Sequence, residues 1–358
     1  MGSVFTPVGQ SVPRSFSRRL SRKFSKDLAI DLGTANTLVY RRGEGLVCNE
    51  PSVVAVRQSP GGERRILAIG AEAKKMFGRV PSAISVIRPI RDGVISDFEV
   101  AQMMLRHFIK KACGPRSFTR PRIVVCVPSG STSIEKRAVA ESATSVGAGE
   151  VHLVDQAIAA AIGAGLPVTE PAGNMMVDIG GGTTEIAVIS LSGLVYSQSL
   201  RIGGDKFDEA IIQLLRRRYN IQIGERTAEI VKIMVGSAGC DTEVETLDIK
   251  ARYLMAREPR TVKITSADIS EAIAGPIAQL VEAVRLALEQ TPPELAGDIA
   301  LKGITFAGGG ALLRNLDTYM SREIGLPVSI SSDPLKAAVL GASRLLEDST
   351  LLSMVSMN

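Results

Sequence analysis

Tryptophan is missing altogether, and aromatic residues make up only 4% of the 358-residue chain. Base-stacking platforms for single-stranded nucleic acid need such rings, so that class is excluded. The two histidines (His107, His152) and four cysteines (Cys48, Cys113, Cys126, Cys240) include no C-x-x-C pair. A zinc site therefore lacks its ligand set, and buried free thiols in a reducing compartment are expected. No apolar run approaches the roughly 20 residues of a membrane-spanning helix. Neither a secretory signal core nor a G-x-x-x-x-G-K-[ST] phosphate loop occurs.

Acidic residues are absent from positions 1–26, which carry six cations: Arg14, Arg18, Arg19, Arg22, Lys23 and Lys26. The other residues hold 36 cations against 37 acids, so the net charge of +5 belongs to a tail. A nucleic-acid-binding body is not expected. Within the tail, Phe16, Leu20 and Phe24 recur every four residues and share one face of a basic helix, which predicts contact with an anionic bilayer. The same composition also suits a mitochondrial transit peptide or a merely solvated segment.

The rest is ordinary globular material, 45% hydrophobic and long enough for two domains. It reads as alternating strands and helices, an α/β fold. Strand patterns fall at 28–32, 37–41, 123–127, 175–179, 185–190, 194–199 and 304–307. Helical patterns fall at 98–112, 133–146, 206–218, 227–235 and 267–289, the last starting after Ser266 and tolerating Pro276 as a kink. Thr132-Ser133-Ile134-Glu135 reads as a capping box opening a helix.

One stretch is echoed. Asp31-Leu32-Gly33-Thr34-Ala35-Asn36-Thr37 ends a strand and opens a hairpin, and Asp178-Ile179-Gly180-Gly181-Gly182-Thr183-Thr184-Glu185 does the same further along. Each copy continues through a second strand, a tight turn (Gly43–Gly45; Leu191–Gly193) and a third strand. Two facing domains with a cleft between them follow from such a repeat. Glycines let backbone N–H groups crowd around phosphate oxygens. Thr34, Asn36 and Thr183 can add hydroxyl or amide contacts, and Asp31 and Asp178 are placed to hold a hydrated Mg²⁺. A third glycine turn, Gly308-Gly309-Gly310, follows a strand and is expected to open a helix near Ala311; by itself it reads as a tight strand–helix junction, with close approach to a base or ribose as the functional alternative.

These motifs, together with NEPSVV (49–54), IRPIRDGVISDF (87–98), RIGGDKFDEAII (201–212), GERTAE (224–229) and AGGGALLRNL (307–316), resemble the actin, sugar-kinase and seventy-kilodalton heat-shock ATPase superfamily. Within it they are most similar to the MreB family of bacterial rod-shape actins, over about residues 27–347. The resemblance implies an actin-like ATPase fold: two duplicated ribonuclease-H-like domains facing a nucleotide cleft, each with a smaller inserted subdomain. The implied division is a tail (1–26), a first domain (27–160, small subdomain about 49–82), a second domain (161–335, small subdomain about 205–265) and a C-terminal helix returning to the first domain (336–358).

It further implies ATP and Mg²⁺ as cofactors. The phosphates would lie on Thr34, Ala35, Asn36 and Gly180–Gly181–Gly182–Thr183. The adenosine would lie between Glu225, Arg226, Thr227, Ala228 and Glu229 on one side and Gly308, Gly309, Gly310, Ala311 and Leu312 on the other. Catalysis would involve Gln156, Thr183 and Asp178, with Asp31 and Asp178 facing the metal through water. Where the family has Ile-Glu-Glu-Pro, with the second Glu orienting the attacking water, this chain has Val154-Asp155-Gln156-Ala157. Glutamine can orient water but cannot take its proton, so slow hydrolysis is expected. Ile134 is the implied lateral contact of paired antiparallel protofilaments, with ordinary core as the alternative. Phe118, between Arg116 and Arg120, is the implied second membrane contact, beside Phe16, Leu20 and Phe24. The implied protein is cytoplasmic and peripheral on the inner membrane face, partnered by itself, by anionic lipid and by cell-wall synthesis and rod-shape membrane proteins. A small-molecule kinase of the same fold would need Asp155 to point inward as the base. A chaperone ATPase would need a peptide-binding domain, for which the chain has no room.

Overall fold

The structure, a computed structural model, describes residues 26–58, 64–114, 120–239, 244–255 and 258–357. Phe16, Leu20, Phe24, Phe118 and Cys240 lie outside the described residues.

The chain opens with β1 (Leu28–Leu32), β2 (Asn36–Arg41) and β3 (Gly45–Pro51). A small unit follows, formed by β4 (Val54–Gln58), β5 (Arg64–Ile69), α1 (Ala71–Lys75) and β6 (Ile84–Ile87). Next come the two-stranded ribbon β7 (Ile90–Arg91) and β8 (Val94–Ile95), α2 (Phe98–Cys113), β9 (Arg122–Val127), α3 (Ser133–Ser145), β10 (Glu150–Asp155) and α4 (Gln156–Ala164). The second half repeats the opening with β11 (Asn174–Ile179), β12 (Thr184–Ser190) and β13 (Gly193–Leu200). Its inserted portion comprises α5 (Gly204–Tyr219), β14 (Ile221–Gln222), α6 (Glu225–Val235), β15 (Thr246–Tyr253) and β16 (Pro259–Thr265). It closes with α7 (Ser266–Glu289), α8 (Pro293–Lys302), β17 (Ile304–Ala307), α9 (Leu316–Ile324), β18 (Val328–Ile330), α10 (Ala337–Glu347) and α11 (Ser349–Val355).

Two five-stranded sheets share one plan. Their orders, β3-β2-β1-β9-β10 and β13-β12-β11-β17-β18, correspond strand for strand. In each, the first three strands are antiparallel and the last two are added in parallel. The central strands are buried on both faces, which is why Leu28-Ala29-Ile30 and Met175-Met176-Val177 read as continuous apolar runs. One face of each sheet packs on its own helices. The other face, bearing Ala29, Leu38, Met176 and Ala187, packs on α4 and α10 between the halves. Those two helices touch through glycine: a Cβ on Gly163 would lie 1.8 Å from the Ala337 carbonyl oxygen, and one on Gly341 would lie 1.7 Å from that of Ala159.

The strands and helices expected from periodicity are all present, with adjusted ends. The capping box at Thr132 and Glu135 is formed. A second one caps α7 through Thr265 and Asp268, so Ser266 is the first helical residue and not the residue before the helix. Helix α7 carries Pro276 inside it without a break. Gly309–Leu312 forms a 3₁₀ turn, and the following helix starts only at Leu316, which corrects the expected start near Ala311. The turn at 191–193 exists, but its left-handed residues are Leu191 (φ 50°) and Ser192 (φ 63°), where the first copy uses Gly43 and Gly45. Their N–H groups are satisfied by the Glu170 and Val168 carbonyls, which hold this costly conformation in place. Cys48, Cys113 and Cys126 are buried free thiols.

Candidate functional site

The two echoed turns line one cavity of about 400 Å³, the size of a small-molecule site. Each turn is braced from behind by the start of its own inserted unit. Ser52 donates its N–H to the Ala35 carbonyl (3.0 Å) and its hydroxyl to the Gly33 carbonyl (2.6 Å). Gly204 and Asp205 donate their N–H groups to the carbonyls of Gly180 (3.0 Å) and Gly181 (2.8 Å). With their carbonyls engaged, the turns keep the form in which N–H groups can face an anion.

The turns also touch each other. A Cβ on Gly181 would sit 2.6 Å from the Ala35 Cβ, and one on Gly182 would sit 2.8 Å from the Thr34 side chain. The tip of the β7–β8 ribbon, Asp92-Gly93, lies at their meeting point. Gly93 donates its N–H to Thr34 Oγ1 at 3.2 Å, and its left-handed backbone (φ 73°) leaves the Thr183 methyl where a Cβ would clash.

Asp31, Gln156 and Asp178 stand together in the cavity wall. Gln156 occupies the first position of α4, whose N-terminus is capped by Asp155 Oδ1 accepting from Ala157 and Ile158. Gln156 Nε2 donates to Asp178 Oδ2 at 2.8 Å. A carboxylate offers no hydrogen in return, so the amide orientation is set and Gln156 Oε1 is left as an acceptor. Burial pushes the Asp178 carboxyl up to about 6, with the Gln156 bond opposing, and burial plus the Asp178 charge push Asp31 up to about 7. Asp31 Oδ1 is buried without a hydrogen-bond partner. Two crowded carboxylates with an orphaned oxygen fit a hydrated divalent cation.

Of the expected adenosine contacts, Glu229, Gly308, Gly309, Gly310 and Leu312 line the cavity. Glu225, Arg226, Thr227, Ala228 and Ala311 are not part of its wall; Ala228 and Ala311 are fully buried. Periodicity missed Ile233 and Leu335, which with Leu312 give the wall three apolar side chains more than half exposed. It also missed Lys232, held to the Gly204 carbonyl at 2.8 Å. Ion pairs join the two halves: Lys74 with Glu229 of the cavity wall (2.9 Å), and Arg88 with Asp205 (3.1 Å) and Glu225 (3.5 Å).

Asp155 is 1% exposed and absent from the wall, so it does not point inward as a kinase base would. His152 is likewise outside the wall. Ile134, outside the cavity wall on the first turn of α3, is 76% exposed, which removes the core alternative.

The family model described as MreB/Mbl protein matches residues 25–354. The cell shape-determining protein MreB of Escherichia coli K12 is 54% identical over 327 residues, covering 90% of this chain and 94% of that protein. The crystal structure of MreB 5 of Spiroplasma citri bound to AMPPNP is similar at a TM-score of 0.85 and 37% identity, over 91% of this chain and 96% of that one. MamK in its double helical filament is similar at a TM-score of 0.77 and 26% identity, over 90% and 99% of the two chains.

Proposed function

This chain belongs to the MreB/Mbl family, and from that premise we propose how its site works: it binds ATP between the two turns, polymerises, hydrolyses the nucleotide slowly, and as a membrane-associated filament organises cell-wall synthesis and rod shape. The observation that carries the reading is the Gln156–Asp178 pair set between two duplicated, braced glycine turns.

Backbone N–H groups of 34–36 and 181–183 hold the phosphates, while the Gly180 N–H closes the second turn on the Thr183 carbonyl at 2.8 Å. Ile233, Leu312 and Leu335 offer the adenine ring an apolar slot, with Glu229 near the ribose. Asp31 and Asp178 would hold Mg²⁺ through its waters, and that ion would supply neutralising charge to the phosphate oxygens. Gln156, with its amide fixed by Asp178, presents Oε1 to the attacking water and orients it. Being neutral it takes no proton, so positioning supplies most of the catalysis and turnover is slow. Thr183, 7% exposed and packed on the Gly93 backbone, positions the second turn.

Filaments of relatives support self-assembly, and the exposed Ile134 on α3 suits the lateral contact of paired antiparallel protofilaments. For the membrane, Lys26 Nζ donates to the Cys113 carbonyl at the end of α2, and Arg41 to that of Ala112. The junctions of the basic tail and of the segment carrying Phe118 with the described body, at Lys26 and Cys113, are therefore neighbours, which supports a shared contact with an anionic inner-membrane surface. Among the described residues no helix is long and apolar enough to span a bilayer. Cell-wall synthesis and rod-shape membrane proteins are the further partners of this cytoplasmic, peripheral filament.

The test is sedimentation and electron microscopy of the purified protein with ATP, ADP or no nucleotide, with anionic vesicles, beside phosphate release. Filaments that require ATP and coat the vesicles are expected. ATP consumption only in the presence of a small hydroxylated acceptor would replace the reading by a kinase.

A further inference from the structure

Directly across the β11–β12 ladder from Asp178 stands Glu185. Residues paired in this way project from the same face of a sheet. Here it is the face that carries Met176 and Ala187 into the seam between the halves. In the first half, the residue opposite Asp31 is Leu38. The repeat thus keeps the aspartate and replaces its apolar neighbour with a second carboxylate.

Glu185 is 0% exposed, and a buried carboxylate is costly unless its oxygens are engaged. Oε1 accepts from the Ser199 hydroxyl at 2.7 Å, on β13 of its own half. Oε2 accepts from the Ser129 N–H at 3.2 Å, and Ser129 belongs to the other half. The contact is close-packed around that bond: a Cβ on Gly130 would lie 3.2 Å from the Ser199 Cβ. Ser129 sits in the short link between β9 and α3. That link closes through Ser131 N–H to the Pro128 carbonyl (3.0 Å) and leads straight into the Thr132–Glu135 capping box. Ile134 projects from the helix turn so fixed.

A single buried side chain therefore joins three things. Its own strand begins at the Gly180–Thr183 turn, its cross-strand neighbour is the aspartate bonded to Gln156, and its far oxygen holds the link that aims α3. We propose that Glu185 is a positioning residue that ties the second phosphate turn to helix α3, so that the nucleotide in the cleft sets the orientation of the filament-pairing surface. The inference rests on the ATP-dependent polymer reading above. A nucleotide can shift such an element only by contacting its two arrangements differently, and loss of the γ-phosphate at the turn supplies that difference.

Glu185→Leu keeps the volume and removes both acceptors. Glu185→Gln can still accept from Ser129 N–H and can donate its amide to Ser199 Oγ. The measurements are the critical concentration for pelleting in ATP and in ADP, and KM for phosphate release. For Glu185→Leu we expect a KM within about twofold of the parent and an ADP-to-ATP ratio of critical concentrations that collapses toward one. Glu185→Gln should keep the parent ratio. A merely destabilised monomer would raise both critical concentrations together and leave their ratio intact. A parental ratio in Glu185→Leu, or a collapsed one in Glu185→Gln, overturns the inference. If Glu185→Leu does not fold, Ser129→Pro decides, since it removes the N–H of the tie between the halves: a reduced ratio supports the coupling and an unchanged one overturns it. A ratio of one in the parent itself would sink the polymer reading and this inference with it.

Discussion

Replacing Gln156 with glutamate turns a donor–acceptor contact into two facing carboxylates. In the parent, Gln156 Nε2 donates to Asp178 Oδ2 at 2.8 Å. In the variant, two negative charges about 4 Å apart at an effective dielectric near 20 repel by about 4 kcal/mol. That is a large part of the roughly 5–15 kcal/mol that holds a domain folded. The penalty depends on pH with a definite sign. A carboxyl whose folded pKa is raised binds more protons in the native state than in the unfolded chain, so stability falls as pH rises between the two values. The nucleotide-free parent already has this property, with Asp178 pushed up to about 6 and Asp31 to about 7. It should lose stability from about pH 4 upward and level off above about pH 7. In Gln156→Glu the pair holds one proton to higher pH, so the loss continues beyond 7. Urea unfolding of nucleotide-free protein at pH 5 and pH 8 reads this directly. The variant should match the parent within about 1 kcal/mol at pH 5 and fall on the order of 3–4 kcal/mol below it at pH 8. Gln156→Ala should show no such widening. With Mg²⁺ and ATP, Gln156→Glu should release phosphate on the order of tenfold faster, because a carboxylate can take the proton of the attacking water, and Gln156→Ala should be slower than the parent. A Gln156→Glu protein whose stability deficit is the same at both pH values would refute the contact and the role built on it.

Asp31→Asn removes a carboxyl raised to about 7 with an orphaned oxygen. Nucleotide-free protein should gain on the order of 3 kcal/mol at pH 8 while Mg²⁺-dependent ATP turnover falls, and a variant less stable than the parent there would count against the cation site. Ile134→Glu changes a 76% exposed side chain, so thermal stability should move by less than about 0.5 kcal/mol while paired filaments vanish from micrographs; unfolding would restore the core reading. Gly341→Ala places a Cβ 1.7 Å from the Ala159 carbonyl oxygen, and should cost about 3 kcal/mol as α4 and α10 are forced apart; an unchanged urea midpoint would contradict that crossing. Deleting residues 1–26 should weaken binding to anionic vesicles by about 1 kcal/mol per lost cation, and Phe118→Ser should weaken it further, with ATP-dependent polymerisation retained. Vesicle co-sedimentation unchanged by both at low salt would leave the tail as a solvated or targeting segment.

The duplicated plan was legible in the sequence because its signals are local. Strand periodicity around 28–41 and 174–200, the glycine turns after Asp31 and Asp178, and the Thr132–Glu135 capping box each depend on residues within a few positions of one another, and all were found where expected. The departure at Gln156 was equally readable. Other features needed the folded chain, since they join residues far apart in sequence. The motif 49–54 gave no hint that Ser52 clamps the first turn, nor 201–212 that Gly204 and Asp205 clamp the second. An isoleucine on a capped helix looks like core until its neighbours are placed, and only the packing left Ile134 in solvent. Asp155 could have faced the cleft or the helix, and the unsatisfied N–H groups of α4 claimed it. Glu185 reads as one polar residue in an apolar strand. Its meaning comes from register, which puts it beside Asp178, and from the meeting of the two halves, which brings the Ser129 N–H to it. Sequence alone determined the elements and the repeat. Which carboxylates share a face, and which loop of one half is held by the other, was decided by long-range packing, because a strand's register and a buried acid's partner are set only when separate sheets close on each other.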